Sequence, residues 1–234
     1  MSENLAPQNE SPGKNLLKTE VQASNASRNI WSRFLHPRQW WEDFAMTNNY
    51  TYLKEGAVNS TSGAIFHLPG RDQKISNIIT GTFGGHKLQL FYSQTFNGPN
   101  TVYKYVVLSL DMQGQLGTML MAKKGFHPTV KGSQLDIIAL VFQDTTNVKN
   151  LVSLGGDSDR SYCLFAPPEI ENEALAVFSS DTIALIESQS KDCIVETAGN
   201  FLYIYLKGQV AKPVDLLPMF ALANQLVTKL KPLA

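Results

Sequence analysis

Two carboxylates at alternate positions, Asp157 and Asp159, follow Gly155-Gly156 in the stretch LGGDSDR. Alternate acidic oxygens in a glycine-bearing loop are how a calcium loop begins. Such a loop needs a glutamate at its twelfth position, and with Asp157 as the first that place holds Pro168. A solvated turn is therefore expected, with Asp157 and Asp159 kept as candidate ligands. The stretch GTFGGHK, residues 81–87, places His86 and Lys87 beside two glycines. A phosphate loop needs GxxxxGK[ST] between a strand and a helix; here the spacing is wrong and the flanks read as two strands. His86 then stands at a hairpin tip, where an exposed imidazole is ordinary, and stays a candidate only. His36, His67, His86 and His127 have no partners at metal-ligand spacing. No catalytic, cofactor-binding or metal-binding set emerges, so no cofactor is expected.

A different chemistry lies upstream. From residue 21 to residue 41 there is no acidic side chain, while Arg28, Arg33 and Arg38 interleave with Trp31, Phe34, Leu35, Trp40 and Trp41. Indoles favour the headgroup level of a bilayer, and guanidinium groups contact anionic lipid. Arg28, Trp31, Arg33, Phe34 and Arg38 are thus candidate contacts for an anionic membrane surface or a protein partner. The competing reading is that Trp40, Trp41 and Phe44 anchor a first helix on a sheet. Both hold together if residues 31–35 are peripheral and residues 40–44 belong to the core. A second basic group, Lys123, Lys124, His127 and Lys131, reads as a solvated loop.

The elements that must carry these residues can be read from pattern. Residues 77–93 form a hairpin closed by Gly84-Gly85, with Leu88, Leu90 and Tyr92 on one face. Residues 101–110 are β-branched and aromatic, hence a third strand. Residues 116–122 follow as a fourth, completing an antiparallel meander. A helix is expected over residues 37–47, a short strand at 50–53, and a strand or short helix at 62–68. The apolar run 135–142 is taken as a strand, although periodicity does not separate strand from buried helix. Residues 151–153 and 162–165 are extended. Pro167-Pro168 opens a helix with Ile170, Ala174, Val177 and Phe178 inside, and a second runs over 182–189 after a cap at Ser179-Ser180-Asp181. Strands at 193–197 and 201–207 form a late ladder. The latter is apolar on both faces, as in a strand covered on both sides. A last helix spans 213–230, with Pro218 tolerated in its first turn.

The fold class is α+β, an antiparallel sheet with helices packed on it. Residues 1–28 are polar and read as a disordered tail. Residues 29–234 form one domain, or two similar halves, 36–125 and 135–234, sharing a sheet. Twenty basic and 20 acidic residues in a chain of 234 leave no net charge, which argues against nucleic-acid binding. No transmembrane run or secretory signal is expected, which places the protein in the cytoplasm, at most at the inner face of the membrane. Cys163 and Cys193 sit in apolar surroundings and read as buried, reduced thiols.

The late region, with Gly156-Asp157, Phe165 to Pro168, Ala174-Leu175, Phe178, Asp181 and Ala184 to Ile186, resembles a group of uncharacterised bacterial proteins from Saccharibacteria-type and related genomes. The hairpin between Ile75 and Phe91 looks like theirs in looser form. The matching positions are caps and core residues, so the resemblance implies a fold rather than an activity. The expected function is a non-enzymatic binding or scaffold module. The alternatives are a small-molecule or lipid-binding domain with a cavity between sheet and C-terminal helix, and an enzyme of unrecognised class.

Overall fold

A computed structural model describes residues 39–124, 135–188, 193–208 and 213–232. The expected tail, Arg28, Trp31, Arg33, Phe34 and Arg38, and His127 and Lys131 lie outside these residues.

Among the described residues nine strands form a single sheet: β1 Thr51–Leu53, β2 Asp72–Phe83, β3 His86–Phe96, β4 Val102–Asp111, β5 Met119–Lys123, β6 Leu151–Val152, β7 Tyr162–Phe165, β8 Cys193–Ala198 and β9 Phe201–Lys207. Their order is β1-β2-β3-β4-β9-β8-β5-β7-β6, with every pairing antiparallel. Among the described residues six α-helices pack around it: α1 Gln39–Thr47, α2 Ile137–Thr146, α3 Ser158–Ser161, α4 Glu171–Val177, α5 Ser180–Ser188 and α6 Leu217–Lys229. The α+β class read from the sequence is the observed one.

The β2–β3 hairpin closes as expected. Gly84 and Gly85 have φ of 58° and 85°, the two successive positive values of a type I′ turn. The meander stops at β4, however. The expected fourth strand, β5, pairs with β8 and β7 instead, and the late ladder inserts between β4 and β5. Two backbone bonds give the route. Met112 donates to the Asn200 carbonyl at 2.8 Å and Leu116 to the Gly199 carbonyl at 2.7 Å. The β4–β5 connection thus wraps the tip of the β8–β9 hairpin. Strands from both halves of the chain consequently alternate across one sheet.

The strand expected over residues 135–142 is a helix, α2. Asp136 caps it by accepting from the Ile138 N–H at 3.0 Å, and Asn147, at φ 58°, ends it in the left-handed conformation. The apolar run could not distinguish the two because Ile137, Ile138, Ala139, Val141 and Phe142 are all buried, leaving no exposed face to mark a period. Two expected α-helices also begin as 3-10 turns, at Pro168–Ile170 and Pro213–Leu216. Residues 62–68 contain a 3-10 turn, Ala64–His67.

The sheet has two covered faces of different character. On one, α1, α4, α5 and α6 pack against Leu202, Ile204 and Leu206 of β9 and their neighbours, an almost wholly apolar layer. Trp41 and Phe44 of α1 are buried there, and Trp40 stacks on Trp41 with ring centroids 4.4 Å apart. This is the core reading of Trp40 to Phe44. The other face, with Tyr203 and Tyr205, is covered by α2 and by a strap, residues 58–68. Gln89, Ser93, Thr95, Ser109 and Glu196 are all buried on the sheet. Cys193 belongs to the first layer and Cys163 to the second, so the sheet separates the two buried cysteines, which form no disulfide. Burial pushes the Cys163 thiol up to about 11.

Candidate functional site

β8 is a central strand of apolar residues with one acid in the middle. Alternation places Cys193 and Val195 toward the helical layer and Ile194 and Ala198 toward the strap. Glu196 falls on the strap side, opposite Leu120 of β5 and Tyr203 of β9, and is 1% exposed. A lone carboxylate in that position needs hydrogen bonds to be tolerated. The Tyr205 hydroxyl donates to Oε2, and the Ala64 N–H of the strap is shared between Oε1 and Oε2 at 3.0 Å each. Burial still dominates and pushes the Glu196 carboxyl up to about 7, against the lowering pull of these two bonds. Burial, and then the Glu196 charge, hold the Tyr205 phenol well above its ordinary value.

The strap is held at further points. The Tyr203 hydroxyl lies 2.8 Å from Ser60 Oγ and 3.1 Å from Ser62 Oγ, and Ser62 donates to the Ala198 carbonyl at 3.2 Å. Gln89 Oε1 accepts from the Asn59 N–H at 2.8 Å. Gln73 Nε2 bonds both the Ile65 carbonyl and Ser93 Oγ at 3.0 Å. Gly63 is required by contact: a Cβ there would sit 2.6 Å from the Tyr205 hydroxyl. The rings of Tyr203 and Tyr205 stack at 6.0 Å with 4° between planes, and Tyr105 meets Tyr205 edge-on at 6.5 Å.

Tyr105 opens a second polar chain on the same face. Its hydroxyl donates to Asp136 Oδ1 at 2.7 Å, and Lys207 Nζ lies 2.8 Å from Asp136 Oδ2. Asp136 therefore caps α2, accepts from a buried phenol and pairs with a lysine at once. Burial, followed by the Asp136 charge, raises the Tyr105 phenol far above its usual range.

A carboxyl titrating near neutrality has the acidity of a general acid or base. In this closed arrangement both Glu196 oxygens are covered and accept hydrogen bonds, from the Ala64 N–H of the strap and from Tyr205.

The residues singled out from sequence lie elsewhere and apart. His86 opens β3, half-buried, with Nδ1 3.2 Å from the Asp111 carbonyl. Asp157 is exposed and 3.4 Å from Arg160. Asp159 accepts from the Ser153 hydroxyl and the Leu154 N–H at 2.7 Å each, and from the Gly155 N–H at 3.1 Å. The Ser153 bond, with the Leu154 N–H next, holds its carboxyl below the usual range. Asp159 thus closes its own turn. His86 and this turn stand near opposite edges of the sheet. Among the described residues no group of three metal-ligating side chains occurs. Glu196, Tyr205, Tyr203, Ser60, Ser62 and Asp136 were not singled out. The signal that could have found Glu196 is a lone acid within CIVETA, an otherwise apolar strand.

Neither a family model, nor a curated protein, nor a solved structure matches the chain.

Proposed function

We propose that the protein is a non-enzymatic binding or scaffold module that docks on an anionic membrane surface through residues 28–38. The supporting observation is the division of labour in the structure. The interior groups with catalytic potential, Glu196, Tyr203, Tyr205, Tyr105 and Asp136, are spent on hydrogen bonds within the fold. Meanwhile Trp41 and Phe44 bury one face of α1 on the sheet, and Arg28, Trp31, Arg33, Phe34 and Arg38 precede this helix in the sequence. Exposed Glu42 and Asp43 on α1 repel anionic lipid and confine the contact to residues ahead of Gln39. No helix among the described residues is long and apolar enough to cross a membrane, so attachment is peripheral in this reading. Cytoplasmic residence and kinship with the bacterial group named above belong to the same proposal.

The cavity alternative has less support. Phe220 of α6 fills the space against the sheet, its ring 5.4 Å from Phe83 and 5.9 Å from Phe44. Co-sedimentation of the full chain with vesicles carrying anionic lipid tests the proposal. Binding should exceed that to neutral vesicles, weaken with added salt, and drop several-fold in a Trp31→Ala, Arg33→Ala variant. Equal, negligible binding of both proteins to anionic vesicles sinks it.

A further inference from the structure

We propose that the strap, residues 58–68, is a pH-gated latch: ionisation of Glu196 releases it and uncovers the face formed by Tyr203, Tyr205 and Glu196. The inference stands apart from membrane docking and rests on the geometry of the second layer.

The strap buries only Ala64, Ile65 and Leu68 among its apolar side chains, with Val58 and Phe66 partly covered. Its remaining hold is the packing of Phe66 against the rings of Phe91 and Tyr203 and a row of hydrogen bonds to Gln89, Tyr203, the Ala198 carbonyl, Glu196 and Gln73. β4 and β9, by contrast, lie inside the sheet and are covered on both faces. Segments with little apolar burial open locally before the core does. Glu196 is the one acid within this hold; its two donors, the Ala64 N–H and the Tyr205 hydroxyl, favour the charged form, but both are neutral and burial outweighs them. A protonated carboxyl accepts the Ala64 N–H on one oxygen and exchanges a hydrogen bond with Tyr205 on the other. The ionised form has two neutral donors and no counter-charge.

The surroundings offer no rescue. From β9, Tyr203 and Tyr205 face Glu196, and Lys207 is engaged with Asp136. From β4 comes Tyr105, bonded to Asp136. From β5 the residue opposite is Leu120. On the strap the one titratable group is His67, which is exposed. At the start of α2 stands Asp136, itself an acid. Desolvation, which pushes the Glu196 carboxyl up to about 7, places the ionisation in the neutral range. An open strap hydrates Glu196 and returns it toward its ordinary value, so opening is coupled to proton loss.

Amide hydrogen exchange on the full chain, read as protection factors between pH 5 and pH 8, tests the latch. The Ala64 and Phe66 amides, bonded to Glu196 and to the Gly63 carbonyl, report the strap. Their protection should fall by roughly 50-fold over this range in the wild type, by the linkage between a carboxyl titrating near 4.5 when open and near 7 when closed. Amides of β4 and β9 should retain higher protection at every pH. In Glu196→Gln the strap should lose this pH dependence while remaining closed. A parallel fall of strap and β9 protection at equal values would mean that only the whole domain opens, and would overturn the latch. So would an unchanged pH dependence in Glu196→Gln.

Discussion

Glu196→Gln should remove the part of the stability loss between pH 5 and pH 8 that Glu196 contributes and make the protein roughly 2–3 kcal/mol more stable than wild type at pH 8. The sign follows from the direction of the shift. Burial raises the folded-state carboxyl from an ordinary 4.5 to about 7. The folded protein therefore binds a proton that the unfolded chain has already released. Stability is full below about 4.5 and is lost as pH rises toward 7, at a slope of up to about 1.4 kcal/mol per pH unit. A glutamine keeps the shape, offers a carbonyl oxygen to the Ala64 N–H, and has no proton to lose. Other groups titrate in the same range, so the informative quantity is the difference between wild-type and variant unfolding free energies, in which those groups cancel. Urea unfolding at several pH values gives that curve. A difference that stays flat from pH 5 to pH 8 refutes the assignment. Glu196→Ala provides the contrast: it leaves the buried Ala64 N–H and Tyr205 hydroxyl without their acceptor and should be about 1–3 kcal/mol less stable than wild type at pH 5, a deficit that shrinks toward pH 8 as the wild type loses its own proton-linked stability.

Why the sequence disclosed the hairpin and not Glu196 is a matter of range. Gly84-Gly85 specifies its turn through two adjacent φ values, and Leu88, Leu90 and Tyr92 report a face within a few residues. Likewise, the apolar residues on both faces of β9 imply a central strand, as observed. The position of β5 was not legible in this way. It depends on the 112–118 segment reaching over the Gly199-Asn200 turn, a contact some 85 residues away in the chain. The site fails for the same reason at larger scale. Glu196 meets Ala64 at a separation of 132 residues, and Tyr203 meets Ser60 at 143. No spacing rule joins serines in a polar loop to a tyrosine on a late strand. Tyr203 and Tyr205 were visible only as apolar members of an alternating strand, because their rings do pack as such while their hydroxyls act on the strap. The aspartates were legible as a turn, and Asp159 performs that role with its own loop amides.

Phe220→Ala should cost about 3–5 kcal/mol, the largest loss expected of any single truncation considered. Its place on the α6 stripe follows from helical spacing with Leu216, Ala223 and Leu226, all buried. The magnitude follows from what the ring joins. Phe220 is 2% exposed and meets Phe83 of β2 edge-on at 5.4 Å and Phe44 of α1 at 5.9 Å. One side chain thus ties the C-terminal helix, the sheet and the N-terminal helix together. Truncation removes the transfer energy of the ring and leaves a cavity bordered by two rigid aromatics, which have little freedom to collapse into it. Each lost aromatic pair adds about 0.5–1.5 kcal/mol. Against a typical total of 5–15 kcal/mol the loss is a large fraction. Urea unfolding should show a lowered midpoint with an unchanged slope, the mark of lost stability without a changed extent of unfolding. Phe220→Leu, which keeps most of the volume, should recover more than half of the loss. If the alanine variant unfolds within about 1 kcal/mol of wild type, α1 is not held through Phe220. Its hold on the sheet then rests on Trp41, Ala45 and the contact of Phe44 with Tyr50.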